Sequence, residues 1–114
     1  MEVGGAKGAK IDISKSQPDA LGWRGQKTPW LVARSYDGPL LIRGRRLDGS
    51  TGVRFALGYG DHRLRLFWAD VPRRNVVAGY LGIPSSVLVR EPGCYGFQID
   101  GTSFSERLVV RVVS

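Results

Sequence analysis

The fold class follows from a corner and a predicted hairpin near the C-terminus, Glu91-Pro92-Gly93-Cys94-Tyr95-Gly96-Phe97-Gln98-Ile99-Asp100-Gly101-Thr102-Ser103-Phe104. Pro92-Gly93 ends the preceding strand, and Tyr95, Phe97 and Ile99 then alternate onto one face of the next strand. Asp100-Gly101 predicts the hairpin turn, because glycine takes a positive φ at no steric cost. A β-branched run ends the chain as the second strand. Since a lone hairpin is unstable in water, other strands must supply the sheet on which it packs.

Upstream of this hairpin, short strand patterns recur between turn signals. The clearest alternations place apolar side chains on one face and arginines or small residues on the other. They are Leu40, Ile42 and Gly44 against Arg43 and Arg45; Val53, Phe55, Leu57 and Tyr59; and Leu64, Leu66 and Trp68. Trp30-Leu31-Val32-Ala33-Arg34 and Ser85-Ser86-Val87-Leu88-Val89-Arg90 add a strand each, whereas residues 70–84 show no clear pattern.

About seven short strands, with no helical period of useful length, predict an all-β protein. The spacing is typical of an immunoglobulin-like antiparallel β-sandwich, and a small barrel is the alternative. A chain of 114 residues forms one domain. Residues 1–28 are predicted to be a flexible or peripheral lead-in, in which Ile11-Asp12-Ile13 alternates like an edge strand. Residues 29–114 are predicted to form the sandwich.

The corner offers a structural role to its tyrosine. After Pro92-Gly93, the ring of Tyr95 can be buried while its hydroxyl binds backbone upstream, in the manner of a tyrosine corner that fixes a crossover between sheets. Pro92, Gly93 and Tyr95 are therefore predicted as structural corner residues rather than ligand-binding ones.

Composition limits the class of partner and the location. The chain has 17 Lys and Arg against 10 Asp and Glu, a net charge of +7, which permits anionic partners such as nucleic acid, phospholipid or acidic polysaccharide. No apolar run approaches the roughly 18 residues of a membrane-spanning helix. Residues 1–10 lack the apolar segment of a signal peptide, so the chain is either cytoplasmic or exported by a signal upstream of Met1.

The chemistry-bearing residues do not form a catalytic pattern. His62 is the single histidine and lies in a turn, and Cys94 is the single cysteine, with no base near it in sequence. Most aspartates occupy turns beside glycine. We therefore expect no enzyme activity, no catalytic residues, no metal site and no cofactor. A single cysteine excludes an internal disulfide, which leaves Cys94 as a packed thiol or as a half-cystine whose partner lies outside this sequence.

Five arginines are the candidate binding residues, with a polyanion as the expected ligand: Arg43, Arg45, Arg54, Arg63 and Arg65. The competing interpretation is that they are ordinary solvated positions of alternating strands. Because the second and third strands of a sandwich usually lie in different sheets, the five are expected to divide between two faces. No strand interleaves aromatic and basic residues as single-stranded nucleic-acid folds do, so binding would be unspecific.

Two segments, residues 38–49 (Gly-Pro-Leu-Leu-Ile-Arg-Gly-Arg-Arg-Leu-Asp-Gly) and the corner-hairpin stretch 91–104, resemble a family of uncharacterised bacterial exported proteins and lipoproteins. The Pro-Gly-x-Tyr corner is also similar to that of many bacterial immunoglobulin-like domains. The resemblance spans residues 23–113 and implies a β-sandwich displayed outside the cytoplasm, without bringing catalytic residues.

The functional expectation is accordingly a non-enzymatic, exported or surface-displayed interaction module. The alternatives are a basic small β-barrel that binds nucleic acid or another polyanion, and a structural subunit that joins a larger assembly by edge-strand addition. The expected partner is an anionic polymer or another protein.

Overall fold

A computed structural model of the chain describes residues 9–114, which contain eleven β-strands and no helix. The strands are β1 (Ala9–Asp12), β2 (Arg24–Lys27), β3 (Trp30–Ala33), β4 (Leu40–Arg46), β5 (Arg54–Ala56), β6 (Arg65–Trp68), β7 (Val76–Val77), β8 (Tyr80–Ile83), β9 (Ser86–Val89), β10 (Gly93–Asp100) and β11 (Ser105–Val113). The prediction of an all-β protein is confirmed, and the architecture is compatible with a β-sandwich.

The strands form three sheets. The largest has five strands in the order β1-β11-β10-β4-β6, and the other two have three strands each, β2-β9-β5 and β3-β8-β7. The predicted hairpin is the centre of the large sheet, because β10 pairs antiparallel with β11 on one side and with β4 on the other. Strand β1 runs parallel to β11 at one edge, and β6 lies at the other.

The core lies between the large sheet and the two small ones. Tyr95, Phe97 and Ile99 all point into it, which confirms the predicted alternation of β10. The ring of Phe97 lies 5.9 Å from that of Trp30 in β3 and 6.1 Å from that of Phe55 in β5 (centroid distances). One aromatic side chain thus joins all three sheets, and such ring pairs stabilise a core beyond their burial alone.

The described part of the predicted lead-in takes part in these sheets. Strand β1 extends the large sheet, and the backbone N–H of Ile13 donates to the carbonyl of Val113 (2.9 Å). The side chain of Ile13 is buried in the main core. Strand β2 pairs with β9, and Trp23 is buried beside Leu88 and Ala56. Residues 1–8 of the predicted lead-in lie outside the described range.

Two of the predicted strands are shorter than their alternation patterns. Val53 and Phe55 are buried as expected, but Leu57 and Tyr59 are exposed because β5 ends at Ala56 and the chain turns, with the N–H of Asp61 bound to the carbonyl of Gly58. Likewise Leu64 is exposed, because β6 begins only at Arg65. Glycine-rich turns override the apolar periodicity at these points.

The strand count of about seven was too low. Four of the eleven strands have no counterpart in the clear sequence patterns, among them β7 and β8 within residues 70–84. These two form a tight hairpin through Ala78 and Gly79, which both have positive φ (51° and 84°). Two central residues with positive φ are typical of a type I′ turn, and Ala at the first of them gives little sequence signal.

The reason given for Gly101 was wrong. Its φ is not positive; the turn between β10 and β11 spans residues 101–104 and is closed by the N–H of Gly101 on the carbonyl of Phe104 (2.9 Å). Glycine is required here for space instead. A Cβ at Gly101 would lie 2.6 Å from Cε1 of Phe104 and 2.9 Å from the hydroxyl of Tyr36.

Candidate anion-binding face

The outer surface of the large sheet is strongly basic. Because side chains alternate across a strand, the residues between the core-facing positions of β1, β4, β6, β10 and β11 share this surface. Among residues 9–114, six cations occupy it, and we call them the cationic face: Lys10, Arg43, Arg45, Arg65, Arg107 and Arg111. All six are exposed to solvent.

Strand register brings these cations into rows. Arg43 lies opposite Arg65 of β6 on one side and opposite Gln98 of β10 on the other, and Gln98 lies opposite Arg107 of β11. Since neighbouring strands are about 4.8 Å apart, this row of four residues spans roughly 14 Å. Arg111 lies opposite Lys10 near the β1 edge.

The cations of this face are largely without carboxylate partners. Arg43 Nη2 contacts Asp100 Oδ2 at 3.2 Å, but no ion pair within residues 9–114 involves the other five. Asp100 also accepts from the hydroxyl of Ser105 (2.6 Å) and from Gln98, and these bonds, together with Arg43, lower its pKa. The carboxylate of Asp100 therefore contacts Arg43 and Gln98 of this row, while the other five cations have no carboxylate of residues 9–114 within ion-pair distance.

A groove runs across this surface at Gly96. Its volume is about 500 Å³, and Arg43, Arg45 and Arg107 stand along it. Gly96 lies opposite Arg45 on β4 and Val109 on β11. A Cβ on Gly96 would lie 3.1 Å from Cδ2 of Leu47, so Leu47 lies over the glycine. The groove thus combines basic walls with an apolar base.

The five arginines predicted from the sequence do not all belong to this face. Arg43, Arg45 and Arg65 come together on it. Arg54 lies in β5 with its guanidinium 5.3 Å from the centroid of the Trp23 ring, and Arg63 Nε binds Asp61 Oδ2 at 2.6 Å. The structure therefore separates Arg54 and Arg63 from the other three.

Sequence reasoning missed half of the cationic face. Arg107 and Arg111 alternate with Leu108, Val110 and Val112, which is a period-two pattern visible in the sequence. The pattern does not show which strands are neighbours of β11. Only the pairing of β11 with β10, and of β10 with β4, places Arg107 and Arg111 on the same surface as Arg43 and Arg45.

A second concavity, of about 630 Å³, lies beside Trp23 and His62. The carboxylate and the imidazole that line it already serve the fold. Asp19 Oδ1 accepts from the N–H groups of Leu21 and Trp23 (both 2.9 Å), and Asp19 Oδ2 lies 3.1 Å from His62 Nε2. The bond from Trp23 is the main cause of the lowered pKa of Asp19. The ionisable pair of this concavity is therefore engaged in local contacts, whereas most cations of the cationic face have no carboxylate partner in the described part of the chain.

The corner residues form a compact hydrogen-bonded unit. Tyr95 is fully buried, and its hydroxyl donates to the carbonyl of Glu91 at 2.6 Å. Asp48 Oδ1 accepts from the N–H of Cys94 (3.0 Å) and from Arg46 Nε (2.9 Å), while Arg46 Nη1 contacts Glu91 Oε2 (2.5 Å). The Asp48 and Arg46 contacts link the loop after β4 to the corner, which sequence spacing did not indicate.

Gly93 and Pro92 have different surroundings in this corner. A Cβ on Gly93 would lie 2.7 Å from Arg46 Nε, so the close approach of Arg46 requires glycine there. Pro92 is exposed. The backbone N–H of Cys94 lowers the pKa of Asp48, with Arg46 as the second cause. The unit is therefore held by ionised groups at its surface and by the Tyr95 ring beneath.

Groups with catalytic chemistry are dispersed. Within residues 9–114 no three His, Cys, Asp or Glu side chains come close enough to hold a metal ion. His62 contacts Asp19 and the edge of Trp23, and Cys94 is a half-buried free thiol. Residues 9–114 also contain no helix that is long and apolar enough to cross a membrane.

Comparison with protein families, curated proteins and solved structures finds no match to this chain.

Proposed function

We propose that the protein is a non-enzymatic interaction module that binds an anionic partner through the cationic face. The observation that carries the proposal is the local excess of positive charge: five of the six cations make no ion pair within residues 9–114, although Arg46 and Arg63 elsewhere do. Unpaired arginines held side by side on a sheet can each bind the oxygens of a phosphate or sulfate group through paired N–H donors.

The expected binding is electrostatic and unspecific. Its driving force is the release of counterions from the partner, which weakens steeply as salt rises. Within residues 9–114, the face has no helix that could enter a groove of nucleic acid. Phe67 is the single exposed aromatic ring that these residues place on it, so it has no row of rings on which bases could stack. Phosphate contacts position a protein on a polymer, whereas base contacts specify sequence.

The immunoglobulin-like topology and display outside the cytoplasm belong to the same proposal. Their support is the all-β architecture and the bond from the Tyr95 hydroxyl to the carbonyl of Glu91, a contact of the kind on which a tyrosine corner depends. Assembly by edge-strand addition is the second candidate. It is favoured by strand β6, which pairs with β4 alone and has the exposed side chains of Leu64 and Phe67 at its edge.

The test is binding to heparin, DNA and RNA at two salt concentrations. Replacing Arg45 and Arg107 by Ala should weaken binding to all three alike, by tenfold or more, and should reduce the salt slope by about two, one for each lost contact. The matched control replaces Arg34 and Arg74, two exposed arginines off this face, and should bind as the parent does apart from a small general charge effect.

Equal losses in the two double variants would show that net charge, and not this face, binds the polymer. A sequence preference above roughly a hundredfold that survives high salt would also contradict the proposal, because unspecific contacts cannot supply it.

A further inference from the structure

Three large apolar side chains stand exposed among the cations. Leu47 is 46% exposed, Phe67 59% and Val109 49%. Leu47 continues the outward positions of β4, since its N–H still donates to the carbonyl of Cys94 (2.7 Å). Phe67 lies opposite the outward residue Leu41, and Val109 lies opposite Gly96. All three therefore project from the same surface as Arg43, Arg45 and Arg107.

A soluble polyanion would use only part of this surface. It satisfies the guanidinium groups with phosphate or sulfate, but it leaves Leu47, Phe67 and Val109 in water. A partner that presents anions in a plane with hydrocarbon directly behind them satisfies both kinds of side chain. Arginine is suited to this arrangement, because its long apolar stem lies along apolar surface while its charged head stays with the anions.

We propose that the cationic face docks on an anionic lipid surface. The guanidinium groups bind headgroup phosphates, while Leu47, Phe67 and Val109 enter the boundary between headgroups and acyl chains. This proposal rests on the anion binding proposed above and specifies the partner. Peripheral proteins bind lipid in this way when buried apolar area adds to attraction by anionic headgroups.

Charge and shape favour lipid over the other occupants of such a face. A second copy of the chain would bring the same six cations against themselves, which opposes pairing through this surface. The face is one side of a mixed sheet of five strands and not a narrow cleft, so its side chains are open to an extended partner. In the absence of lipid, the side chain of Leu47 packs over Gly96 in the groove.

The experiment compares vesicles with heparin under the same salt. The protein should co-sediment with vesicles of phosphatidylcholine that contain about a third phosphatidylglycerol, and it should not co-sediment with vesicles of phosphatidylcholine alone. Each cation lost from the surface should lower partitioning about fivefold. The decisive variant replaces Leu47 and Val109 by Ser, and it should lose tenfold or more in vesicle binding while it keeps its affinity for heparin.

The matched control replaces Leu21 and Val76 by Ser, two exposed apolar residues off this face, and should bind both partners as the parent does. A Phe67→Trp variant adds a direct reporter, whose emission should shift to the blue on mixed vesicles but not on heparin. Thermal melts confirm that each variant is folded.

The outcomes separate the two proposals. If the Leu47/Val109 variant binds vesicles as well as the parent, or if it loses heparin and vesicle binding equally, lipid docking is wrong while anion binding stands. A preference for heparin or nucleic acid over vesicles of equal charge contradicts it as well. If neither heparin nor vesicles bind the parent, the proposed function itself fails.

Discussion

The two faces of the five-stranded sheet share one backbone and differ in almost everything else. On β10, Tyr95, Phe97 and Ile99 are at most 2% exposed. Gly96 and Gln98, which lie between them in sequence, are on the side of the cations. The inner face holds the three sheets together by packing, and the outer face leaves charge uncompensated. Successive residues of one strand therefore belong alternately to the core and to the charged surface, and substitutions on the two faces should have separable effects.

The largest expected effect is on the inner face. Tyr95→Ala removes a fully buried ring and should lower the free energy of unfolding by about 3–5 kcal/mol. Tyr95→Phe keeps the ring and loses the bond to Glu91, which should cost about 1 kcal/mol. Denaturant midpoints measure both changes.

Arg45→Ala is the outer-face control for Tyr95 and should stay within about 0.5 kcal/mol of the parent. If Tyr95→Ala and Arg45→Ala shifted the midpoint equally, the inner face would not be the structural one.

A pair of glycines on opposite faces gives a finer comparison. Gly44 faces the core, and a Cβ there would lie 2.8 Å from Cδ1 and Cε1 of the buried Phe97 ring. Because Phe97 is packed between Trp30 and Phe55, it has little room to move, and Gly44→Ala should cost about 1–3 kcal/mol.

Gly96→Ala is the matched substitution on the outer face. The nearest atoms to its Cβ would be those of Leu47, an exposed side chain, from 3.1 Å. The free energy of unfolding should change by no more than about 0.5 kcal/mol. Alanine restricts the unfolded chain more than glycine does, and this gain offsets the small cost of displacing Leu47. Equal costs at Gly44 and Gly96, measured by denaturation, would show that the two faces are equally constrained.

The smallest effect concerns the surface contacts at the corner. Hydrogen bonds from Cys94 and Arg46 lower the pKa of Asp48 below its ordinary value of 3.8. A lowered pKa in the folded state means that the stabilising contribution is complete above pH about 3.8 and is lost as pH falls through the folded value. The stability difference between the parent and Asp48→Asn should therefore be constant near neutral pH and should shrink below pH 3.8. A difference that persists unchanged into strong acid would contradict the contacts around Asp48.

Local patterns predicted much of the fold. Alternation placed Tyr95, Phe97 and Ile99, and likewise Leu40 and Ile42, on the buried face correctly. It failed at Leu57 and Tyr59, where a turn ends the strand, and at Gly101, where crowding by Phe104 and not backbone conformation requires glycine. It left residues 76–81 open between one strand and an irregular crossover, whereas they belong to the hairpin of β7 and β8; strands of two and four residues have too few positions to show a clear period.

The sequence by itself determined the β class, the basic charge and the inward or outward side of the long strands, because side-chain alternation is a property of each strand alone. Which strands are neighbours depends on contacts between residues far apart in the chain, and that was decided by the tertiary structure. The pairing of β4 with β6 and β10, and of β10 with β11, is what gathers Arg43, Arg45, Arg65 and Arg107 on one surface and sends Arg54 and Arg63 elsewhere.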